Sequence, residues 1–539
     1  MKTNFIFGIS IIFSLLALLS CNNEPKKLTT DIVAVSNPIL HADYSDPDVI
    51  NVDGKYYLTA SSFNCIPGLP LLESTDLVHW NLIGYALQKL EPDSVYSKPQ
   101  HGNGVWAPAI RFHNSQFYIY YADPDFGIFM VTASKIEGPW SKPHLVQSGK
   151  GWIDPCPFWD DNGKAWLVHA WAGSRAGIKS TLVLHQMSAD GKQLLDNGVM
   201  VFDGHDVNKT VEGPKMYQRN GYYYIFAPAG GVTEGWQLVM HSKDIYGPYE
   251  SRKVLHQGNT RINGPHQGAW ITDSKGNDWF FHFQDKGAYG RIVHLQPMHW
   301  VDNWPQIGAN IDASGLGEPV HQLKIQAHPI PSESFIHSCS DEFNTPFLNL
   351  NWQWFANINP KWGSPSANLG FLRLNAWVMP NAENLWQVPN LLLQKFPSDS
   401  FSVETKLDLF LKEPGDKTGL LIMGSDYAYI GVERKSTSNF LVYRICQHAD
   451  KGNNEQTLFE IPWEQESVVL KVTINAGGIC KFAFSGISSN YQAITPEFTA
   501  QSGRWIGAKC GLFCTGDTIT NDAGYVNSDW FRFNFESIN

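Results

Sequence analysis

At 539 residues the chain exceeds what one ordinary hydrophobic core supports, so two domains are the natural expectation. Charged residues make up only 17%, aromatics reach 13%, and the formal charge is −11, which argues against a nucleic-acid partner and leaves no basic stripe for an acidic polymer. A β-rich protein with many packed rings, acting on a neutral ligand such as a sugar, fits this balance.

Residues 1–20 read as a targeting segment. Lys2 supplies the positive start, Phe5 to Leu19 the apolar stretch, and Leu18-Leu19-Ser20-Cys21 is similar to a bacterial lipobox, whose cysteine becomes the lipidated first residue after cleavage. An ordinary secretory signal is the alternative reading. Residues 21–36, opening with Asn22-Asn23-Glu24-Pro25-Lys26-Lys27, are expected to form a tether. The protein would then be an exported lipoprotein, membrane-anchored and facing the periplasm or the cell exterior. No later stretch is long and apolar enough to span a bilayer, so the membrane is a partner only through that N-terminal anchor. Seven cysteines remain after Cys21, an odd number with no metal spacing, and they are expected as buried free thiols.

From residue 37 to 326 one pattern recurs: a polar or acidic residue beside a proline, an apolar step, a tight turn, then a strand thick with aromatics. The copies begin at Ser45-Asp46-Pro47, Trp106-Ala107-Pro108, Ile153-Asp154-Pro155, Glu212-Gly213-Pro214 and Gly264-Pro265-His266. A period of roughly 50 to 60 residues is the mark of a radial array, here a five-bladed β-propeller whose innermost strands start near one axis. Three starts carry a carboxylate, Asp46, Asp154 and Glu212, so acids far apart in sequence should meet in one pocket and do acid/base chemistry. The stretch His299 to Gln326 is expected to close the ring by pairing with the first strands. Two prolines in the polar segment 327–336 mark a linker. Residues 337–539 return to alternation at a new rhythm (Phe401 to Leu411, Gly419 to Met423, Tyr427 to Val432, Phe440 to Cys446, Ser467 to Ile474, Asp529 to Phe535), which predicts a β-sandwich. The fold class is all-β throughout.

Together Asp43-Tyr44-Ser45-Asp46-Pro47-Asp48, Trp106-Ala107-Pro108, Ile153-Asp154-Pro155 and Val211-Glu212-Gly213-Pro214, in this order and spacing, resemble glycoside hydrolase family 43, the five-bladed β-xylosidases and α-L-arabinofuranosidases. The resemblance implies an inverting glycosidase with Asp46 as general base, Glu212 as general acid and Asp154 as the residue that tunes and orients the acid. Physical chemistry agrees with that division: the acid must hold its proton, which a neighbouring carboxylate favours, while the base must stay charged to draw a proton from water. Inversion also needs the two carboxyls about 6.5–9.5 Å apart, a gap that opposite blades can supply and no local motif can. No cofactor is required for this chemistry.

The same resemblance assigns Arg291 a place near the sugar and the base, with an inter-blade salt bridge as the alternative. His266 is assigned a place below the pocket, where a structural histidine bonded to backbone is the competing reading. Phe63 and Trp106 are expected to line the sugar site, since flat apolar walls bind a sugar face, and blade core is their alternative. Lys215 stands where many xylosidases carry a histidine, and in the distinctive segment Gly230 to Gln237, Trp236 is expected to wall the leaving-group side. The C-terminal region, from about 336 onward, resembles the concanavalin-like sandwich of many family 43 β-xylosidases. That likeness implies a loop residue lent to the pocket, and it raises a structural calcium between Asp341 and Asp529.

An oligosaccharide or polysaccharide is thus the expected partner, cleaved as β-xyloside first and α-L-arabinofuranoside second. A retaining β-fructosidase would carry Arg-Asp-Pro at the second acidic site, where Ile153-Asp154-Pro155 stands. A non-catalytic, lipid-anchored glycan-binding protein would have no need of three axial carboxylates.

Overall fold

The computed structural model describes residues 31–327, 339–365, 370–486 and 490–535. The expected signal peptide, the lipidation site Cys21 and nearly all of the expected linker lie outside these residues. Among the described residues, five four-stranded antiparallel meanders follow one another in chain order. The first blade runs through Asp48–Val52, Lys55–Thr59, Gly68–Ser74 and Asn81–Leu87. The others open with Trp106–His113, Trp152–Trp159, Lys215–Arg219 and His266–Thr272. These opening strands pack on one another around the axis. In the third blade the opening strand Trp152–Trp159 is almost wholly buried while the outer strand Val199–Asp203 is mostly exposed, so burial on both faces at the axis gives way to exposure at the rim.

A belt of hydrogen bonds joins the opening strands. Asp48 Oδ2 accepts from Ile110 N at 2.8 Å and from Arg111 Nη1 at 2.6 Å. Arg111 Nη2 reaches Cys156 Sγ at 2.9 Å, and that sulfur also accepts from Met216 N at 3.3 Å. Trp270 N donates to the Tyr217 hydroxyl at 3.1 Å, and Asn51 Nδ2 closes the circle on Thr272 O at 3.1 Å. Every pair of neighbouring blades is bonded at least once through this belt, the first and second twice.

Ring closure departs from the expectation in one respect. Residues 31–36 are strand and not tether: Asp31–Ser36 pairs antiparallel with Gln322–Ala327 along its full length. Val33 and Val35 share one face and pack against the core between the first and fifth blades, while Ile32 on the other face is exposed. The stretch from His299 splits, its first part completing the fifth blade through Arg291–Val301 and Trp304–Ile307.

The C-terminal part is a sandwich of a seven-stranded and an eight-stranded sheet among the described residues. Strand Phe401–Phe410 alternates buried and partly exposed side chains, sending Phe401, Val403 and Leu407 inward against Leu420, Ile422 and Ile430 of the other sheet. The sandwich also shares a core with the ring: Phe63 and Cys65 pack with Phe355, Leu393, Tyr427 and Phe513. Ile66 and Trp354 exchange backbone hydrogen bonds of 2.9 and 2.7 Å across the boundary. All seven cysteines from Cys65 to Cys514 are buried, and no disulfide joins them among the described residues.

Candidate active site

Each blade brings one residue of left-handed backbone to the axis: Asp46 (φ 55°), Ala107 (31°), Asp154 (57°), Gly213 (58°) and Gln267 (29°). In the second, third and fifth blades the ladder slips by one residue at this point, the signature of a bulge, which bends the strand and re-aims the side chains beside it. Left-handed backbone at a non-glycine residue costs about 1–3 kcal/mol, and four of these five positions carry a side chain. The fifth repeat is offset from its sequence motif. Gln267-Gly268, and not Gly264-Pro265, makes the bulge, because a Cβ at Gly268 would lie 1.7 Å from Phe281 O and only glycine fits. His266 is therefore the structural counterpart of Glu212, each lying one residue before its blade's left-handed position.

These turns aim Asp46, Asp154, Glu212 and His266 into one cavity of about 270 Å³, lined also by Phe63, Trp106, Arg291 and Trp505. Asp46 is buried and held from two sides. Ser61 Oγ donates to its Oδ2 at 2.5 Å while accepting from Ala107 N at 2.7 Å, and Arg291 Nη1 lies 3.2 Å from Oδ1 and 3.4 Å from Oδ2. An ionised Asp46 with these donors keeps one orientation. Arg291 is itself fixed between the rings of Phe283, 4.8 Å away, and Trp505, 5.7 Å away.

Glu212 Oε1 lies 3.0 Å from His266 Nε2. The other ring nitrogen, Nδ1, is buried without a partner among the described residues, so the imidazole suits both forms of the acid. Nε2–H donates to the carboxylate, and a bare Nε2 accepts from the carboxylic acid. Asp154 Oδ2 accepts from Gly213 N at 2.7 Å and from Gln267 Nε2 at 3.4 Å. Burial holds the Asp154 carboxyl well above the usual carboxylate range, and the charges of Glu212 and Asp46 push it the same way. Below the acids Lys215 is fully buried, its ammonium donating to Pro108 O at 3.0 Å, and its charge partly offsets the penalty on Asp154.

Phe63 and Trp106 both line the cavity, Trp106 with its indole N–H on Gly102 O at 2.8 Å. Trp236 does not. It packs behind the loop, donating to Asn208 Oδ1 at 3.2 Å under the Lys253 ammonium, while Gly231 and Val232 of that loop face the cavity. A Cβ on Gly230 would lie 2.6 Å from the Trp236 ring, so the loop folds directly over the indole and screens it from the site. Trp505, from the sandwich, also lines the cavity, and no motif announced it. The loop it sits on, with Gly503 and Gly507, belongs to no strand.

Asp341 and Asp529 do not fit a hard cation. Asp341 accepts from Phe343 N, Asn349 N and Trp352 Nε1, and the Lys406 ammonium lies 2.8 Å from Asp529 Oδ2. Among the described residues no group of three or more acidic, histidine or cysteine side chains gathers in metal-binding geometry.

A five-bladed ring with three acids and aromatic walls at one end of its axis defines a glycoside hydrolase, an enzyme that cleaves O-glycosyl bonds. Residues 35–305 match the profile of Glycosyl hydrolases family 43, and residues 340–534 that of the Beta xylosidase C-terminal Concanavalin A-like domain. The chain belongs to glycosyl hydrolase family 43. It is 37% identical to a putative beta-xylosidase of Xylanibacter ruminicola over 87% of this chain and 85% of that one. A non-reducing end alpha-L-arabinofuranosidase of Bacteroides ovatus is 26% identical over 92% of this chain and 94% of its own. The crystal structure of xylan beta-1,4-xylosidase from Bacillus halodurans superposes with a TM-score of 0.81 at 25% identity, covering 93% of this chain and all of that one.

Proposed function

We propose that the enzyme is an inverting β-xylosidase that removes single pentoses from the non-reducing ends of hemicellulose-type oligosaccharides. The observation that carries this reading is the convergence of Asp46, Asp154 and Glu212 on one small cavity walled by Phe63, Trp106 and Trp505. Its volume lies just below the ~300–1,000 Å³ of sites for drug-sized ligands, room for a terminal sugar and not for a threaded chain. In this reading Asp46, oriented by Arg291 and Ser61, draws a proton from a water on one face of the sugar. Glu212, supported by His266, protonates the departing oxygen on the other. Asp154 resists ionisation beside Glu212 and orients it through the Gly213 turn.

The relatives named for xylose and for arabinofuranose favour the α-L-arabinofuranosidase reading second, since the two pentoses present similar hydroxyls and a few contacts of about 1–3 kcal/mol each decide between them. The test is hydrolysis of an aryl β-xyloside and an aryl α-L-arabinofuranoside, with NMR of the first-formed anomer. Inversion of a β-xyloside releases α-xylose first; first-formed β-xylose would refute it. We further propose that the chain is exported and held to a membrane by lipid on Cys21. Metabolic labelling with a fatty acid should mark the parent and not the Cys21→Ala variant, which should fractionate as soluble.

A further inference from the structure

Asp43, three residues before Asp46, is buried where the first blade, the fifth blade and the sandwich meet. Its Oδ1 accepts from Arg291 N at 2.9 Å and from Ser45 Oγ at 3.3 Å. Its Oδ2 accepts from Gly507 N at 3.0 Å. Its carbonyl oxygen accepts from the Lys395 ammonium of the sandwich at 2.5 Å, and that ammonium lies 3.8 Å over the Tyr44 ring. Tyr44 N in turn donates to Arg291 O at 3.0 Å. The seat is close-packed: a Cβ at Gly290 would fall 2.5 Å from Asp43 Oδ1 and 2.6 Å from Gly507 N, and a Cβ at Gly507 would fall 2.7 Å from Gly290 N.

The two N–H groups gathered by this one carboxylate belong to the residue that holds Asp46 and to the loop that presents Trp505. We infer that Asp43 is a positioning residue, which locks the sandwich loop carrying Trp505 to the backbone of Arg291 and so holds the base and the aromatic wall in one register. A carboxylate suits this task because both oxygens accept; an isosteric amide would turn its NH₂ toward one of the two backbone donors. The inference rests on the reading of Asp46 as base only for its kinetic consequence.

The experiment compares the parent with Asp43→Asn, Trp505→Ala, the double variant, and Gly507→Ala, which wedges a methyl group into the seat from the sandwich side without touching Asp43. On an aryl β-xyloside, Asp43→Asn is expected to lower kcat/KM by about 10–100-fold and to move its acid limb to higher pH, because Asp46, which otherwise faces Arg291 and the Asp154 carboxyl, loses part of its cation. Gly507→Ala should reproduce that shift, covering the case in which Asp43→Asn folds poorly. The double variant should lose much less than the product of the two single losses. Hydrogen exchange read on peptides spanning 287–292 and 502–508 should rise in both segments together in Asp43→Asn and in Gly507→Ala. An acid limb left in place with kcat/KM within twofold of the parent, multiplicative losses, or exchange rising in one segment alone would overturn the coupling. An Asp46→Asn variant that stays active while exchange rises in both segments would instead remove Asp46 as base and leave the coupling standing.

Discussion

Burial and two neighbouring acids make ionised Asp154 costly in the folded protein, and that cost has a sign that pH reveals. Its folded value lies above the ordinary 3.8, so the stabilising contribution is complete below about 3.8 and is lost as pH climbs through the folded value. Asp154→Asn removes the loss while its carbonyl oxygen still accepts from Gly213 N. Scanning calorimetry should therefore find the variant more stable than the parent at pH 7, by about 2 °C or more, with the gain vanishing near pH 3.5, although turnover falls. Glu212 and Asp46 separate by a different measurement. General acid catalysis is worth about 10²–10⁴-fold, and a nitrophenolate leaving group departs with little need of a proton. Kinetics should show Glu212→Gln losing far more on xylobiose than on an activated aryl xyloside, whereas Asp46→Asn loses alike on both. The three acids were legible in the sequence because each stands at or beside a left-handed residue that proline or glycine punctuates. Trp505 was not, since nothing local to Ser502–Ile506 records which face of another domain it meets. Trp236 misled because an aromatic beside glycines reads the same whether it walls a cavity or props the loop from behind.

Between residue and ring lies the opening strand, which does two jobs: the left-handed residue at or just before its start aims side chains into the cavity, and the remainder carries the belt. Asp48 is fully buried, and its ion pair with Arg111 bonds the first blade to the second. Arg111→Met strands that carboxylate without its cation, a loss of about 3–5 kcal/mol. Equilibrium denaturation should record a fall of this size, and adding Asp48→Asn should recover much of it. The repeat length and the Asp-Pro, Ala-Pro and Gly-Pro steps made four blade starts readable. The fifth was readable only approximately, because Gly264-Pro265 imitates the motif while Gln267-Gly268 forms the bulge. What no pattern could convey is that Cys156 links three strands through its sulfur, since such a bond depends on the closed circle.

At the scale of the whole molecule the two β parts were separable in sequence by composition and rhythm, yet their boundary is a shared core. Phe63 and Cys65 are nearly inaccessible and pack against Phe355, Leu393 and Phe513, and Ile66 completes its backbone bonds on Trp354. Residues 31–327 produced alone would face water with that apolar patch and those open backbone groups. Gel filtration should find the fragment associated. Any monomer that is recovered should show kcat/KM at least tenfold below the full chain, because the cavity has lost Trp505 and the Gly507 bond to Asp43.

The fastening of the ring has a mechanical consequence. In the ribbon of Asp31–Ser36 and Gln322–Ala327, Asp31 lies opposite Ala327, so the segments leading away from the two strands depart from the same end. Tension between a surface-held leader and the sandwich would load the hydrogen bonds one after another, as a zip opens, and not all at once as in shear. The rungs would part from Asp31 toward Ser36, leaving Asn37, whose side chain bonds to Leu295 O and Val320 O, as the next stop before any blade feels the pull.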